Sequence, residues 1–157
     1  MNKKFLKAEG IIPIMIAIGI IGLLVAIIVP NLTKSRNEQL LKGTTDDIVS
    51  LLTKARTQTL SSYNSMQYGV YLNATSATLF AGASYVAGNA SNTVSLFDSS
   101  IAVATSSLSL NGGGSSILFD RLTGGTNNYG TIVVNISNNV SRNKTITVTK
   151  TGNISSN

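Results

Sequence analysis

A chain of 157 residues with no Cys and no His cannot be stapled by disulfides, cannot build a thiolate or imidazole metal site, and lacks both a thiol nucleophile and the commonest general base. The net charge of +6 arises from 12 basic and 6 acidic residues, but Lys3, Lys4 and Lys7 fall within the first ten positions, so no basic surface is established for the rest. The length suits one compact domain plus an accessory element. The only acids are Glu9, Glu38, Asp46, Asp47, Asp98 and Asp120, which is too sparse a set for an enzyme, and no cofactor or metal motif is present.

The first notable element follows that basic leader. Ile11–Val29 is an uncharged run of nineteen residues, which as a helix would span about 28 Å, close to the roughly 30 Å hydrocarbon thickness of a bilayer. A single membrane crossing is expected, with the three lysines as the cytoplasmic flank. A cleaved secretory signal fits worse, because the apolar run is too long and no small-x-small site follows it. Pro13 falls where a first helical turn tolerates proline, and Pro30 is expected to kink or break the helix.

From Asn31 to about Ser62, apolar Leu41, Ile48, Leu51, Leu52 and Ala55 recur at helical spacings, while Lys34–Glu38 and Glu38–Lys42 are i,i+4 charge pairs. An amphipathic helix is predicted. Gly43 followed by "TTDD" is expected to interrupt it, with Thr44 or Thr45 capping a second piece.

After residue 66 the period becomes two. "YGVYLN", "SIAVAT", "SILFD", "TIVVNI" and "KTITVTK" read as half-buried strands, separated by "NGGG", "TGG", "NNYG", "SNN" and "TGN" turns. Residues 82–95 are rich in Gly, Ala, Ser and Asn and read as a loop. The predicted fold is α+β: a long N-terminal hydrophobic helix continuing, with breaks at Pro30 and Gly43, into an amphipathic helix packed on an antiparallel β-domain. The expected segments are a leader over 1–10, an apolar helix over 11–30, the amphipathic helix over 31–62 and the β-domain over 63–157.

The order of basic leader, small residue, apolar helix, Pro30-Asn31 and amphipathic helix resembles a class III prepilin signal, and "IAIGIIGLLVAIIVPN" resembles the N-terminal helix of type IV pilins and type II secretion pseudopilins. Ala55-Arg56, Phe119 to Gly125 and Gly152-Asn153-Ile154 extend the likeness to H-type minor pseudopilins and related minor pilins. The resemblance implies a prepilin peptidase that cuts and N-methylates the chain. The cut falls after Ala8 or after Gly10, so Ala8, Glu9, Gly10 and Ile11 are the processing residues. It also implies insertion in the inner membrane with the β-domain outside, contact with membrane lipid and an inner-membrane assembly platform, and then assembly with other pilin or pseudopilin subunits into an extracytoplasmic filament. Members usually carry a glutamate five residues after the cut, thought to pair with a neighbour's terminal amine. Here Pro13 takes that place if the cut follows Ala8, in which case Glu9 can supply the carboxylate instead; if the cut follows Gly10 no acid precedes Glu38, which favours a minor, tip or initiating role.

The remaining candidates are weaker. Arg142, Lys144 and Lys150 form a possible nucleic-acid patch, for a minor pilin binding DNA or a surface, although three cations without nearby aromatics more often make a solvated strand end. A membrane-anchored adhesion or carbohydrate-binding module that never polymerises is a further alternative. Asp98 and Asp120 read as turn residues rather than a carboxylate pair. "NGGG" lacks the Lys-Ser/Thr of a phosphate loop.

Overall fold

The computed structural model describes residues 10–105 and 109–157, and for residues 26–31 the backbone alone. The chain divides into two units, Met1–Glu38 and Gln39–Asn157. Helix α1, Ile11–Leu60, contributes residues to both, and the fold is α+β with antiparallel sheets.

Within the first unit, Gly10 is an exposed turn residue and Ile11 opens the helix. Pro13 is the third helical residue, where a backbone N–H would have no intrahelical acceptor, so the ring removes nothing. Every described side chain from Ile11 to Val25 is exposed. The long membrane-spanning helix expected here is overturned: among the described residues, no helix is long and apolar enough to cross a membrane. The single-pass inner-membrane placement falls with it.

The expected interruptions are also corrected, because α1 continues without a break through Pro30 and through Gly43. A proline removes one i→i−4 hydrogen bond, at about 3 kcal/mol, and a glycine costs about 1 kcal/mol; each is a local penalty that a long helix absorbs. Thr45 shows why no new helix begins after Gly43. Its hydroxyl donates to the Leu41 carbonyl at 2.7 Å, one turn back, instead of capping a forward N–H.

In the second unit, Leu41, Thr45, Ile48, Leu52, Ala55 and Thr59 form the buried stripe of α1. Their spacing of three and four keeps them on one face. A 3-10 turn, Tyr63–Ser65, leads into two sheets. The first sheet has the order β3-β2-β1-β6, comprising Thr93–Leu96, Ser76–Ala81, Tyr68–Asn73 and Ser116–Leu118. The second has the order β4-β7-β8-β9, comprising Ile101–Val103, Gly130–Ile136, Asn139–Val148 and Ile154–Ser156, with β5, Ser109–Leu110, also paired to β7.

Register explains the core. Val70 lies opposite Leu79 and Leu72 opposite Ala77, so one face of the first sheet is apolar. Ile132 opposes Ile146, and Val103 opposes Val134, which gives the second sheet an equivalent face. These residues join Ile48, Leu52 and Ala55 in one buried cluster. At roughly 1.5–3 kcal/mol per fully buried large aliphatic side chain, this cluster is the main source of the unit's stability.

The opposite face of the first sheet is covered too. Gly69 lies directly across from Phe80, and a Cβ at Gly69 would come within 2.6 Å of the Phe80 ring, so only glycine lets that ring lie over β1. Tyr85, from the loop after β2, stacks on Tyr71 at 4.1 Å and meets Phe80 edge-on at 5.9 Å. The stretch read as a loop therefore carries an aromatic that closes a second small cluster, and it ends in strand β3.

Candidate functional site

Two surfaces merit description, one in each unit. In the first unit the helix is uncharged from Ile11 to Val25, and Ile11, Ile12, Ile14, Ile16, Ile18 and Ile20 all lie more than half exposed. Successive helical residues are 100° apart, so these positions surround the axis rather than forming a stripe. A helix apolar on every side is a surface that demands cover. Gly19 and Gly22, one turn apart, have nothing within 4 Å of a hypothetical Cβ.

The processing residues divide at the start of the helix: Ala8 and Glu9 lie outside the described residues, whereas Gly10 and Ile11 are exposed at the junction of turn and helix. The cations of the suggested nucleic-acid patch are not gathered. Lys144 is half-buried opposite Val134, and Arg142 is exposed two residues earlier on the same strand. Lys150 is exposed beyond the other end of β8. The strand from Lys144 to its end at Val148 alone spans about 13 Å, with Lys150 in the turn beyond it. Asp98 behaves as a turn residue, its carboxylate accepting the Ser100 N–H at 2.8 Å. Asp120 likewise closes a turn through its backbone, whose carbonyl accepts the Gly124 N–H at 2.9 Å. Among the described residues no cluster of acids could hold a metal ion.

In the second unit the end of α1 is fastened by polar contacts. The Arg56 guanidinium donates from Nε to the Gly124 carbonyl at 3.1 Å and from Nη2 to the Thr151 carbonyl at 3.4 Å. Those carbonyls belong to the turn after β6 and the turn after β8. Gly152 has φ +77, and a Cβ there would run into the Gly124 carbonyl oxygen. One turn further along the helix, the buried Thr59 hydroxyl donates to the Ala55 carbonyl at 2.8 Å and accepts the Tyr68 N–H at 2.9 Å. The sequence singles out Ala55-Arg56 and Gly152 only through the resemblance, and it does not reveal the carbonyls of Gly124 and Thr151 that Arg56 meets.

Two hollows lie among the described residues of the second unit. One of about 380 Å³ lies among Asp120, Thr123, Thr126 and Lys150. The other, of about 410 Å³, lies between Lys54 and Gln58 of the helix, Tyr63 and Met66 of the following turn, and Thr93 at the start of β3. The Gln58 Oε1 atom is buried there without a hydrogen-bond partner. Nothing in the sequence pointed to this groove, because its walls come from a helix end, a turn and a strand without alternation. No protein family, curated protein or solved structure matches this chain.

Proposed function

We propose that this chain is a structural subunit of a type IV pilin-like or type II secretion pseudopilin filament, and a minor one. The observation that carries the reading is the first unit's helix, uncharged and exposed on every side from Ile11 to Val25. Burying a large aliphatic side chain is worth roughly 1.5–3 kcal/mol, so several such side chains together strongly favour a state in which they are covered. Equivalent helices of neighbouring copies supply that cover. The second unit brings its own core to be displayed on the assembly. The minor role rests on the run from Ile11 to Asn37, which contains no acid. A buried carboxylate needs a cationic partner, and a subunit with no copy stacked above it has no neighbouring amine to neutralise.

The test is assembly of the full chain. Purified in mild detergent and then diluted out of it with the co-expressed subunits, it is expected to enter filaments visible by electron microscopy at substoichiometric levels. Ile18→Ser with Leu24→Ser is expected to prevent entry while leaving the circular dichroism of the β-domain intact. A monodisperse monomer in sedimentation under these conditions overturns the reading. N-terminal mass spectrometry addresses processing: a mature chain starting at Glu9 or Ile11 agrees with it, and one retaining Met1 does not.

A further inference from the structure

We propose that the groove at the end of α1 in the second unit is a binding site for an acidic saccharide, one whose pyranose ring carries a carboxylate. The inference is independent of filament assembly, because every residue it uses lies in Gln39–Asn157. The groove encloses about 410 Å³, within the range of roughly 300–1,000 Å³ usual for small-molecule sites. The chemistry of its lining is selective. Among the described residues, Lys54 is the sole charged one on the wall and no carboxylate lines it. The remaining polar groups, on Gln58, Asn64, Asn89, Ser91 and Thr93, are amides and hydroxyls that suit a ligand bearing both donors and acceptors.

Three further features point the same way. Gln58 lines the groove and its Oε1 is buried without a partner, so no internal hydrogen bond to that oxygen holds the amide in place, and its rotation toward the groove would satisfy the oxygen on a ligand O–H. Tyr63 and Tyr68 stand 6.1 Å apart at 44°, and Tyr63 is 54% exposed, so an aromatic face is open to the C–H face of a sugar ring. That face is held out by a strained turn: Ser62, Asn64 and Ser65 have φ of 50, 49 and 57, in the left-handed region that non-glycine residues rarely occupy. Strain of this kind persists where the surroundings enforce it, and it clusters at ligand sites. Lys54 and Gln58 are four residues apart on one helical face, their Cβ atoms about 5–6 Å from one another. A single ring can therefore place its carboxylate on the Lys54 ammonium and a hydroxyl on the Gln58 carbonyl. Asn89 is already oriented, its Oδ1 accepting both the Ser91 N–H at 3.0 Å and the Ser91 hydroxyl at 2.9 Å, which leaves its amide NH2 group available to donate.

The experiment uses the full chain in mild detergent, titrated by calorimetry and by saturation-transfer NMR with trigalacturonate, with neutral galactotriose and with triglutamate. Trigalacturonate is expected to bind, with galactotriose weaker by about tenfold or more because it lacks the charge-assisted contact. Lys54→Met should weaken trigalacturonate by about tenfold and leave galactotriose unchanged, whereas Gln58→Leu should weaken both sugars alike. Added salt should reduce only the trigalacturonate affinity. The proposal is overturned if trigalacturonate shows no saturation transfer at millimolar concentration. It is equally overturned if binding survives both substitutions, or if triglutamate binds as well as the uronate, which would mean that the groove takes an acidic peptide or charge alone. Unchanged thermal unfolding of both variants, whose side chains lie outside the core cluster, separates loss of binding from loss of fold.

Discussion

Ile18 and Ile48 belong to the same helix and have the same side chain, yet one is 65% exposed and the other fully buried. The stretch around Ile18 is apolar at every position, so it has no preferred face, and nothing among the described residues of its unit covers it. Around Ile48, Lys42, Asp46, Asp47 and Lys54 occupy the solvent side while Leu41, Leu52 and Ala55 share the other. Pattern, not hydrophobic content, decides which part of a helix can be satisfied by its own chain. The region with more apolar residues is the one that depends on something outside itself.

Substitutions can break or sharpen that contrast. Leu52→Ala is expected to destabilise the second unit by about 2–5 kcal/mol in chemical denaturation, since it opens a cavity at a site with no exposure. Arg56→Ala comes next, at about 1.5–3 kcal/mol, for two charge-assisted hydrogen bonds to carbonyls. Arg56→Lys should recover only part of it, because an ammonium cannot direct a fork of donors at two separate acceptors. Thr59→Val should cost about 1–2 kcal/mol, as the methyl keeps the shape while the buried Tyr68 N–H loses its acceptor. Leu24→Ala should change the same denaturation midpoint by no more than about 0.5 kcal/mol, because its side chain is exposed. A loss at Leu24 comparable to that at Leu52 would show that the first unit's helix already has an intramolecular partner, and the contrast would collapse.

Much of the second unit was legible beforehand. Strands β4, β6, β7 and β8 turn Ile101, Val103, Ile117, Ile132, Val134, Ile146 and Val148 to the core at alternate positions, and β1 does the same with Tyr68, Val70 and Leu72, so that period survives in the sequence. β2 was missed for the opposite reason. Ala77, Thr78, Leu79 and Phe80 are buried in succession, since α1 covers one face of the sheet and Tyr85 helps cover the other, so no alternation is written there. β3 has two exposed apolar residues, Val94 and Leu96, and reads as part of a loop. The helix was misread where local signals were trusted over length: Pro30 and Gly43 are local penalties, and Thr45 spends its hydroxyl on the turn behind it. The apolar opening was read as a membrane span from its composition, whereas no described helix is long and apolar enough to cross one. Of the candidate sites, the exposed helix could be read from its lack of charge, but the groove depends on the left-handed turn at Ser62–Ser65, which no motif announces.

The Arg56 fastening also bears on the order in which the molecule comes together. Its two acceptors lie 68 and 95 residues further along the chain. A helix can form within about a microsecond, but closing loops of that length and pairing the strands around them is far slower. The guanidinium therefore waits for both turns to arrive and engages only near the end of folding. An interaction made after the rate-limiting step governs how long the native state lasts rather than how fast it is reached. Arg56→Ala should accordingly shorten the lifetime of the folded β-domain while leaving its refolding rate almost untouched, making this side chain a latch against unfolding rather than a seed for folding.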